Sequence, residues 1–106
     1  AHVLIDREGV VTQFVPFHQR AWHAGMSVFD GRSACNDYSI GIELEGADTM
    51  SYTDQQYACL AEITQCLIAK YPSLTAKRIA GHSDIAPGRK TDPGVSFDWA
   101  RFNALI

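Results

Sequence analysis

The sequence lacks the long apolar run and the excess of basic residues that would place a protein in several large functional classes. No apolar stretch approaches the roughly 20 residues needed to span a bilayer. Nine basic residues stand against twelve acidic ones, for a net charge of −3. The chain therefore has neither a basic field for nucleic acid nor a polybasic membrane patch. Its 106 residues allow one domain with a modest core.

Cysteine is scarce and odd in number, with one thiol each at Cys35, Cys59 and Cys66. Cys59 and Cys66 lie on one predicted helix, about 10 Å apart along its axis, which is too far for a disulfide. We expect three reduced thiols, with Cys59 and Cys66 acting as small apolar groups near the core. Reduced thiols favour a reducing compartment.

Alternating segments predict the strands. Residues 2–5 and 10–15, joined by a turn at 6–9, are typical of a β-hairpin. Residues 39–45 alternate cleanly, so Ile40, Ile42 and Leu44 point one way while Gly41, Glu43 and Glu45 point the other. Residues 77–80 are a further short strand candidate, which would place His82 just beyond its end.

A capping box of Thr53 and Gln56, with Tyr52 stapled onto Tyr57, predicts the start of a long helix. A stripe at 3.6-residue spacing follows and is predicted to face the core, and Pro72 ends the helix soon after. The stripe consists of Tyr57, Leu60, Ala61, Thr64, Leu67 and Ile68. Residues 97–105 indicate a short amphipathic helix at the end of the chain. Strands and helices mixed in this way predict an α/β or α+β fold, with a mixed central sheet flanked by helices.

Residues 16–37 show no sustained period, and include Trp22 and His23. A stretch of this length without regular structure is usually functional or mobile. One interpretation is a segment that faces a substrate. The alternative is a surface loop anchored by Trp22 and Phe29.

The loop at 81–94 holds the chemistry-bearing residues in highest density. His82 supplies an imidazole and Asp92 a carboxylate, which together with a third ligand can hold zinc and leave a position open for water. Lys90 lies close enough to Asp92 to stabilise charge that develops beside such a metal. The alternative is a solvated loop in which His82 caps a strand and Asp92 begins a turn.

Activated water needs a general base, and Glu43 is the candidate because its strand face is predictable. The alternative for Glu43 is a solvated position on an open sheet face. Asp84 either orients the His82 imidazole or belongs to a turn. The third ligand is not evident, because lone histidines are more often solvated or hydrogen-bonded than bound to a metal. Among the candidates, His2 is favoured because it lies at the start of a strand. These candidates are His2, His18 and His23.

Five motifs in order resemble the zinc N-acetylmuramoyl-L-alanine amidases of the type-2 family. Any one of them is weak, but together they span essentially the whole chain. They lie at residues 13–17 (QFVPF), 20–25 (RAWHAG), 35–46 (CNDYSIGIELEG), 81–87 (GHSDIAP) and 89–94 (RKTDPG).

The resemblance implies a peptidoglycan-recognition-like fold and a zinc ion held by His82 and Asp92. It implies Glu43 as the catalytic acid and base, and Lys90 as the residue that stabilises the tetrahedral intermediate. Trp22, His23 and Arg89 are implied as substrate-binding residues. The implied reaction is hydrolysis of the amide between the lactyl group of N-acetylmuramic acid and L-alanine in muropeptides, including anhydro forms. The implied setting is peptidoglycan degradation and recycling in the cytoplasm, by a monomer without nucleic-acid or membrane partners.

The sequence departs from that family in one respect. The family's first zinc ligand is a histidine upstream of the residue that matches Ala1. Two ligands hold zinc poorly. We therefore expect residues 1–106 to be a single amidase domain that lacks its N-terminal strand and segment. The alternatives are a muropeptide-binding relative without activity and an inactive fragment.

Overall fold

The alternating and 3.6-periodic segments fold into short strands and one long helix. The computed structural model describes residues 1–106. Its strands are β1 (Val3–Ile5), β2 (Val11–Gln13), β3 (Val28–Phe29), β4 (Arg32–Ser33) and β5 (Ile42–Leu44). Its helices are α1 (Asp54–Lys70), α2 (His82–Ile85) and α3 (Trp99–Leu105), with 3₁₀ turns at Cys35–Asp37 and Ala76–Arg78.

The main sheet is mixed and has three strands in the order β2-β1-β5. Strand β1 pairs antiparallel with β2, Val3 opposite Gln13, and parallel with β5, Val3 opposite Ile42. Asp6 closes the hairpin turn, because its Oδ1 accepts hydrogen bonds of 2.9 Å from the amides of Glu8 and Val10. The predicted hairpin is confirmed, as is the α+β class with a mixed sheet and helices.

Helix α1 begins where the capping box predicts. Thr53 Oγ1 accepts from the amide of Gln56 at 3.1 Å, and Gln56 Oε1 accepts from the amide of Thr53 at 3.0 Å. Gln56 is 0% exposed, and its Nε2 also donates to the carbonyls of Ile5 and Glu45, at 3.3 and 2.8 Å. One buried side chain thus both starts the helix and connects it to the ends of β1 and β5.

The core lies between one face of the sheet and the two longer helices. Ile5 is 0% exposed, and Leu44, opposite it on β5, packs against the same cluster. Full burial of such side chains contributes about 1.5–3 kcal/mol each, so this face supplies much of the stability. The predicted core stripe of α1 is confirmed. The cluster consists of Ile5, Tyr52, Tyr57, Leu60, Phe97 and Phe102.

The face of the sheet opposite the core carries polar residues that are candidates for the functional site. Side chains alternate along a strand, and Val3 and Ile5 face the core. His2 and Leu4 therefore point away from it, as do Gly41 and Glu43 on the neighbouring strand segment. The His2 amide donates to the Gly41 carbonyl at 2.8 Å, which extends the pairing by one residue. This second face is the one available for a site.

The predicted strand at residues 77–80 is wrong. Residues 76–78 form a 3₁₀ turn, and Ile79 is extended but pairs with no strand. Backbone of strand-like conformation becomes a strand only when a neighbour takes up its hydrogen bonds. His82 consequently does not follow a strand; it begins α2, with Gly81 as the N-cap.

Residues 16–37 are mostly irregular, as expected, but they include a hairpin that we did not predict. Strands β3 and β4 pair antiparallel around Asp30 and Gly31, whose φ angles are 51° and 80°. Positive φ at both central positions is the type I′ turn, and Asp-Gly is its preferred sequence. The signal was therefore present in the sequence.

The three cysteines are free, as predicted. Cys59 packs against the core cluster, but Cys66 is exposed, so the expectation that both lie near the core is wrong for Cys66. The helical stripe that buries Leu67 turns the neighbouring Cys66 outward. None of the helices combines the length and the apolar composition needed to cross a membrane.

Candidate metal and catalytic site

The two residues predicted to hold a metal, His82 and Asp92, lie side by side. The amide of Ser83 donates to the Asp92 carbonyl at 2.9 Å, which holds the start of α2 against the later loop. His82 Nδ1 is 3.3 Å from Asp92 Oδ2, with side chains 18% and 56% exposed. The pair is thus assembled at a surface that solvent can reach.

The hydrogen bonds of His82 determine which ring nitrogen faces the carboxylate as a lone pair. Nε2 lies 2.9 Å from the carbonyl oxygen of Ala24, which can only accept, so Nε2 carries a proton. In the neutral ring Nδ1 is then unprotonated and faces Asp92 Oδ2. Two lone pairs at this distance repel unless a proton or a metal cation lies between them. A histidine whose other N–H donates to a backbone carbonyl is the usual arrangement of a metal ligand.

Asp84 does not orient His82. Its Oδ2 accepts from the amide of Gly81 at 2.7 Å, at the start of α2. Of the two interpretations of Asp84, the turn residue is the one that the contacts support. The imidazole is oriented by the Ala24 carbonyl instead.

The remaining histidines do not complete the metal site. His2 is 0% exposed; its Nε2 donates to the Gln19 carbonyl at 2.7 Å and its Nδ1 accepts from the Gly41 amide at 3.1 Å, so neither nitrogen is free. The strand-start argument that favoured His2 therefore fails. His18 is exposed. No group of three or more His, Cys, Asp or Glu side chains is placed to hold a metal ion.

His23 lies against β5 in a neutral state. Its Nε2 is 2.7 Å from Ser39 Oγ. The Ser39 hydroxyl donates its proton to the Cys35 carbonyl at 2.5 Å, so it accepts the hydrogen bond from His23 Nε2. His23 Nδ1 is buried without a hydrogen-bond partner. Burial, followed by the charges of His2, the N-terminal ammonium and His82, lowers the pKa of His23 from 6.5 to about 4.

Glu43 is exposed at the centre of β5, on the same face as Gly41. The His23 ring packs against Gly41 so closely that a Cβ there would lie 2.6 Å from its Cδ2. Successive same-face positions on a strand are about 6.5 Å apart, so Glu43 lies just beyond this ring. Its carboxylate is thus on the face of the sheet that His23 shares with the candidate site.

A polar depression of about 260 Å³ joins the loop at 81–94 to residues 22–26, which we call the strap. Trp22 is 77% exposed and does not anchor the strap; the Arg20 guanidinium lies 4.1 Å from its ring centroid. Trp22 is therefore not the anchor that the surface-loop interpretation requires, and the substrate-facing role of the strap stays a prediction. The depression is lined by Trp22, His23, Ala24, Gly25, Asn36, His82, Arg89 and Lys90.

A larger, mostly apolar groove of about 390 Å³ lies between α1 and the β1–β2 hairpin. It contains none of the predicted site residues. The predicted metal ligand His82 and the predicted cation Lys90 line the smaller, polar depression instead.

Asn36 is a site residue that sequence reasoning missed. It is buried, and its Oδ1 accepts from the amides of His23 and Ala24 at 3.0 and 2.8 Å. Its partners are backbone amides, which have no signature in the sequence. These two hydrogen bonds, made at a buried position, identify Asn36 as a support of the strap.

Residues 1–95 match the family model of N-acetylmuramoyl-L-alanine amidases. The chain belongs to this amidase family. It is 61% identical over 106 residues to the 1,6-anhydro-N-acetylmuramyl-L-alanine amidase AmpD of Citrobacter freundii, covering 100% of this chain and 56% of that protein. It is 37% identical over 98 residues to the N-acetylmuramoyl-L-alanine amidase AmiD of Escherichia coli, covering 84% of this chain and 35% of that protein.

Solved structures of amidase-family relatives share the fold. A crystal structure of a selenomethionine AmpD derivative superposes with a TM-score of 0.96 at 61% identity, covering 100% of this chain and 59% of that one. The E. coli AmiD complex with anhydro-N-acetylmuramic acid-L-Ala-D-gamma-Glu-L-Lys superposes with a TM-score of 0.93 at 31% identity, covering 99% and 47%. The family and fold implied by the motifs are thus confirmed. The chain spans a little more than half the length of the AmpD relatives it matches.

Proposed function

We propose that this chain is the catalytic part of a zinc-dependent amidase. Its reaction is hydrolysis of the amide between the lactyl group of N-acetylmuramic acid and L-alanine in muropeptides, including anhydro forms. The observation that carries the proposal is the His82–Asp92 pair, whose facing Nδ1 and Oδ2 atoms are 3.3 Å apart. The AmiD relative bound to an anhydromuropeptide supports the substrate class.

The donor set fits zinc in part. His82 Nδ1 and Asp92 Oδ2 are a nitrogen and an oxygen ligand of the kinds that catalytic zinc sites use. A catalytic zinc site needs a third protein ligand, and none of the other histidines among residues 1–106 supplies it. The family resemblance implies a histidine from the part of the family's domain that precedes the residue matching Ala1. When bound, zinc acts as a Lewis acid toward the scissile carbonyl and activates water.

The side chains around the pair have distinct proposed roles. Glu43 takes a proton from the attacking water and returns it to the leaving nitrogen of L-alanine. Lys90, which lines the same depression as His82, stabilises the negative charge that develops on the carbonyl oxygen. Trp22 and His23 form the wall against which the muropeptide binds.

We further propose that residues 1–106 belong to a single amidase domain and that the protein acts as a monomer in the cytoplasm, in peptidoglycan degradation and recycling. The three free thiols support a reducing compartment. The AmpD relatives support a place in muropeptide turnover.

The test measures bound zinc and peptide release from an anhydromuropeptide. It uses this chain and the same chain extended upstream with the matching segment of the C. freundii relative. In the extended protein, Glu43→Ala should reduce turnover by at least about 10²-fold with zinc retained. His82→Ala should remove the metal. Glu8→Ala, at an exposed carboxylate in the hairpin turn, is the matched control and should change neither quantity.

Each outcome selects one interpretation. Zinc without peptide release from the extended protein favours a muropeptide-binding relative. Neither zinc nor muropeptide binding favours an inactive fragment. Full zinc occupancy in His82→Ala refutes its assignment as a ligand, and loss of zinc in Glu43→Ala refutes the acid–base assignment.

A further inference from the structure

Arg89 points toward the protein backbone. The family resemblance implies a substrate-binding role for this residue, yet its Nη2 donates to the carbonyl oxygens of Ala24 and Met26, at 2.6 and 2.8 Å. Both acceptors belong to the strap. One guanidinium nitrogen therefore spans two carbonyls of the segment that lines the candidate site.

The Ala24 carbonyl is shared between Arg89 and the metal-ligand candidate. The same oxygen accepts from His82 Nε2 at 2.9 Å. Ala24 is 1% exposed, so water does not compete for this acceptor. The orientation of the His82 ring therefore depends on the position of a carbonyl that Arg89 also holds.

The strap is shaped to receive the guanidinium. Gly25 has φ +63°, and a Cβ at this position would lie 2.9 Å from Arg89 Nη2. A side chain at this position would be strained by the positive φ and would displace the guanidinium from the strap. Asn36 Oδ1 in turn accepts from the Ala24 amide at 2.8 Å. The peptide groups at Ala24 are thus held from two directions by side chains distant in sequence.

We propose that Arg89 is a positioning residue that fixes the Ala24 carbonyl, which in turn keeps the proton of His82 on Nε2 and presents Nδ1 beside Asp92. The inference rests on the proposed function, because it gives Arg89 a role toward the zinc ligands. It also accounts for arginine at this position. A planar guanidinium directs two N–H bonds from one nitrogen along fixed lines, which a lysine ammonium on a flexible stem does less well.

The first measurement needs no variant. In the metal-free 106-residue chain, nitrogen-15 NMR of the histidine rings at pH 8 should find a proton on His82 Nε2, whether or not a second proton lies between Nδ1 and Asp92. The Nδ1–H tautomer would overturn the proposal. This measurement remains decisive even if the chain proves to bind no zinc, which would refute the proposed function instead.

The second measurement compares zinc affinity, by chelator competition, in the upstream-extended protein. Arg89→Met should weaken zinc binding by about 10–100-fold, the usual effect of losing a partner that orients a ligand. Arg89→Lys should recover part of this loss, because an ammonium can still donate to the Ala24 carbonyl but holds it less rigidly than the planar guanidinium. Arg101→Met is the matched control: Arg101 pairs with the exposed Asp54 at 2.7 Å and should leave the affinity unchanged.

A general loss of structure is separated from positioning by spectroscopy. The cobalt-substituted Arg89→Met protein should give a shifted ligand-field absorption spectrum, while the Arg101→Met spectrum matches that of the unaltered protein. Zinc affinity within about threefold of the unaltered protein, together with an unshifted cobalt spectrum in Arg89→Met, overturns the inference and leaves the proposed amidase function intact.

Discussion

Gly41→Ala tests whether the sheet face and the candidate site are one packed unit. Gly41 does not have a positive φ, so its backbone accepts alanine. The obstacle is the His23 ring, because the new Cβ would lie 2.6 Å from its Cδ2 and 2.8 Å from its Cβ. Contact so near the base of the side chain cannot be relieved by rotating the ring alone.

The expected destabilisation has two parts. Forcing an extra methyl group into a filled space costs about 1–3 kcal/mol. Moving the ring also breaks the 2.7 Å bond to Ser39 Oγ, and a buried polar group left unpaired costs about 1–3 kcal/mol. The lower conformational entropy of unfolded alanine offsets about 0.5–1 kcal/mol. We expect a net loss of roughly 3 kcal/mol, a fall in Tm of roughly 10–20 °C.

The assay is urea unfolding followed by tryptophan fluorescence in a double-mutant cycle with His23→Ala. Removing the ring removes the obstacle, so Gly41→Ala should be neutral or slightly stabilising in the His23→Ala background. The reasoning is refuted if Gly41→Ala costs less than about 0.5 kcal/mol in the unaltered chain, or costs the same in both backgrounds.

Two further predictions concern titration and thiol reactivity. Because the folded pKa of His23 is about 4 against 6.5 in the unfolded chain, the unfolded state binds more protons between these values, and the free energy of unfolding should fall as pH drops from about 6.5 to 4. His23→Gln should flatten this slope in urea titrations; an equally steep slope in the variant would contradict the assignment. Burial, then the charges of Glu62 and Asp6, raises the pKa of the Cys59 thiol, whereas Cys66 is exposed. Iodoacetamide at pH 8 should therefore alkylate Cys66 well before Cys59 by peptide mass spectrometry, and equal rates would refute this difference in environment.

The sequence alone predicted the parts of the fold that depend on neighbouring residues. The hairpin at residues 2–15 follows from alternation around a turn, and α1 begins at Asp54 because Thr53 and Gln56 cap each other. Side-chain alternation also assigned Glu43 to the face opposite Ile42 and Leu44. The strand predicted at 77–80 failed because a strand requires a hydrogen-bonding neighbour, which local sequence cannot supply.

His82 and Asp92 were identified as a pair from their residue types and motif, and the fold brings Nδ1 and Oδ2 to 3.3 Å. What only the tertiary structure decided is how that pair is supported. The proton of His82 is placed by the carbonyl of Ala24, that carbonyl is held by Arg89, and the amides beside it bind Asn36. Every residue has a backbone carbonyl, and every residue except proline has a backbone N–H. The sequence therefore does not show which of these groups accept or donate the hydrogen bonds of the site. Their roles arise only when folding brings residues far apart in the chain within hydrogen-bonding distance.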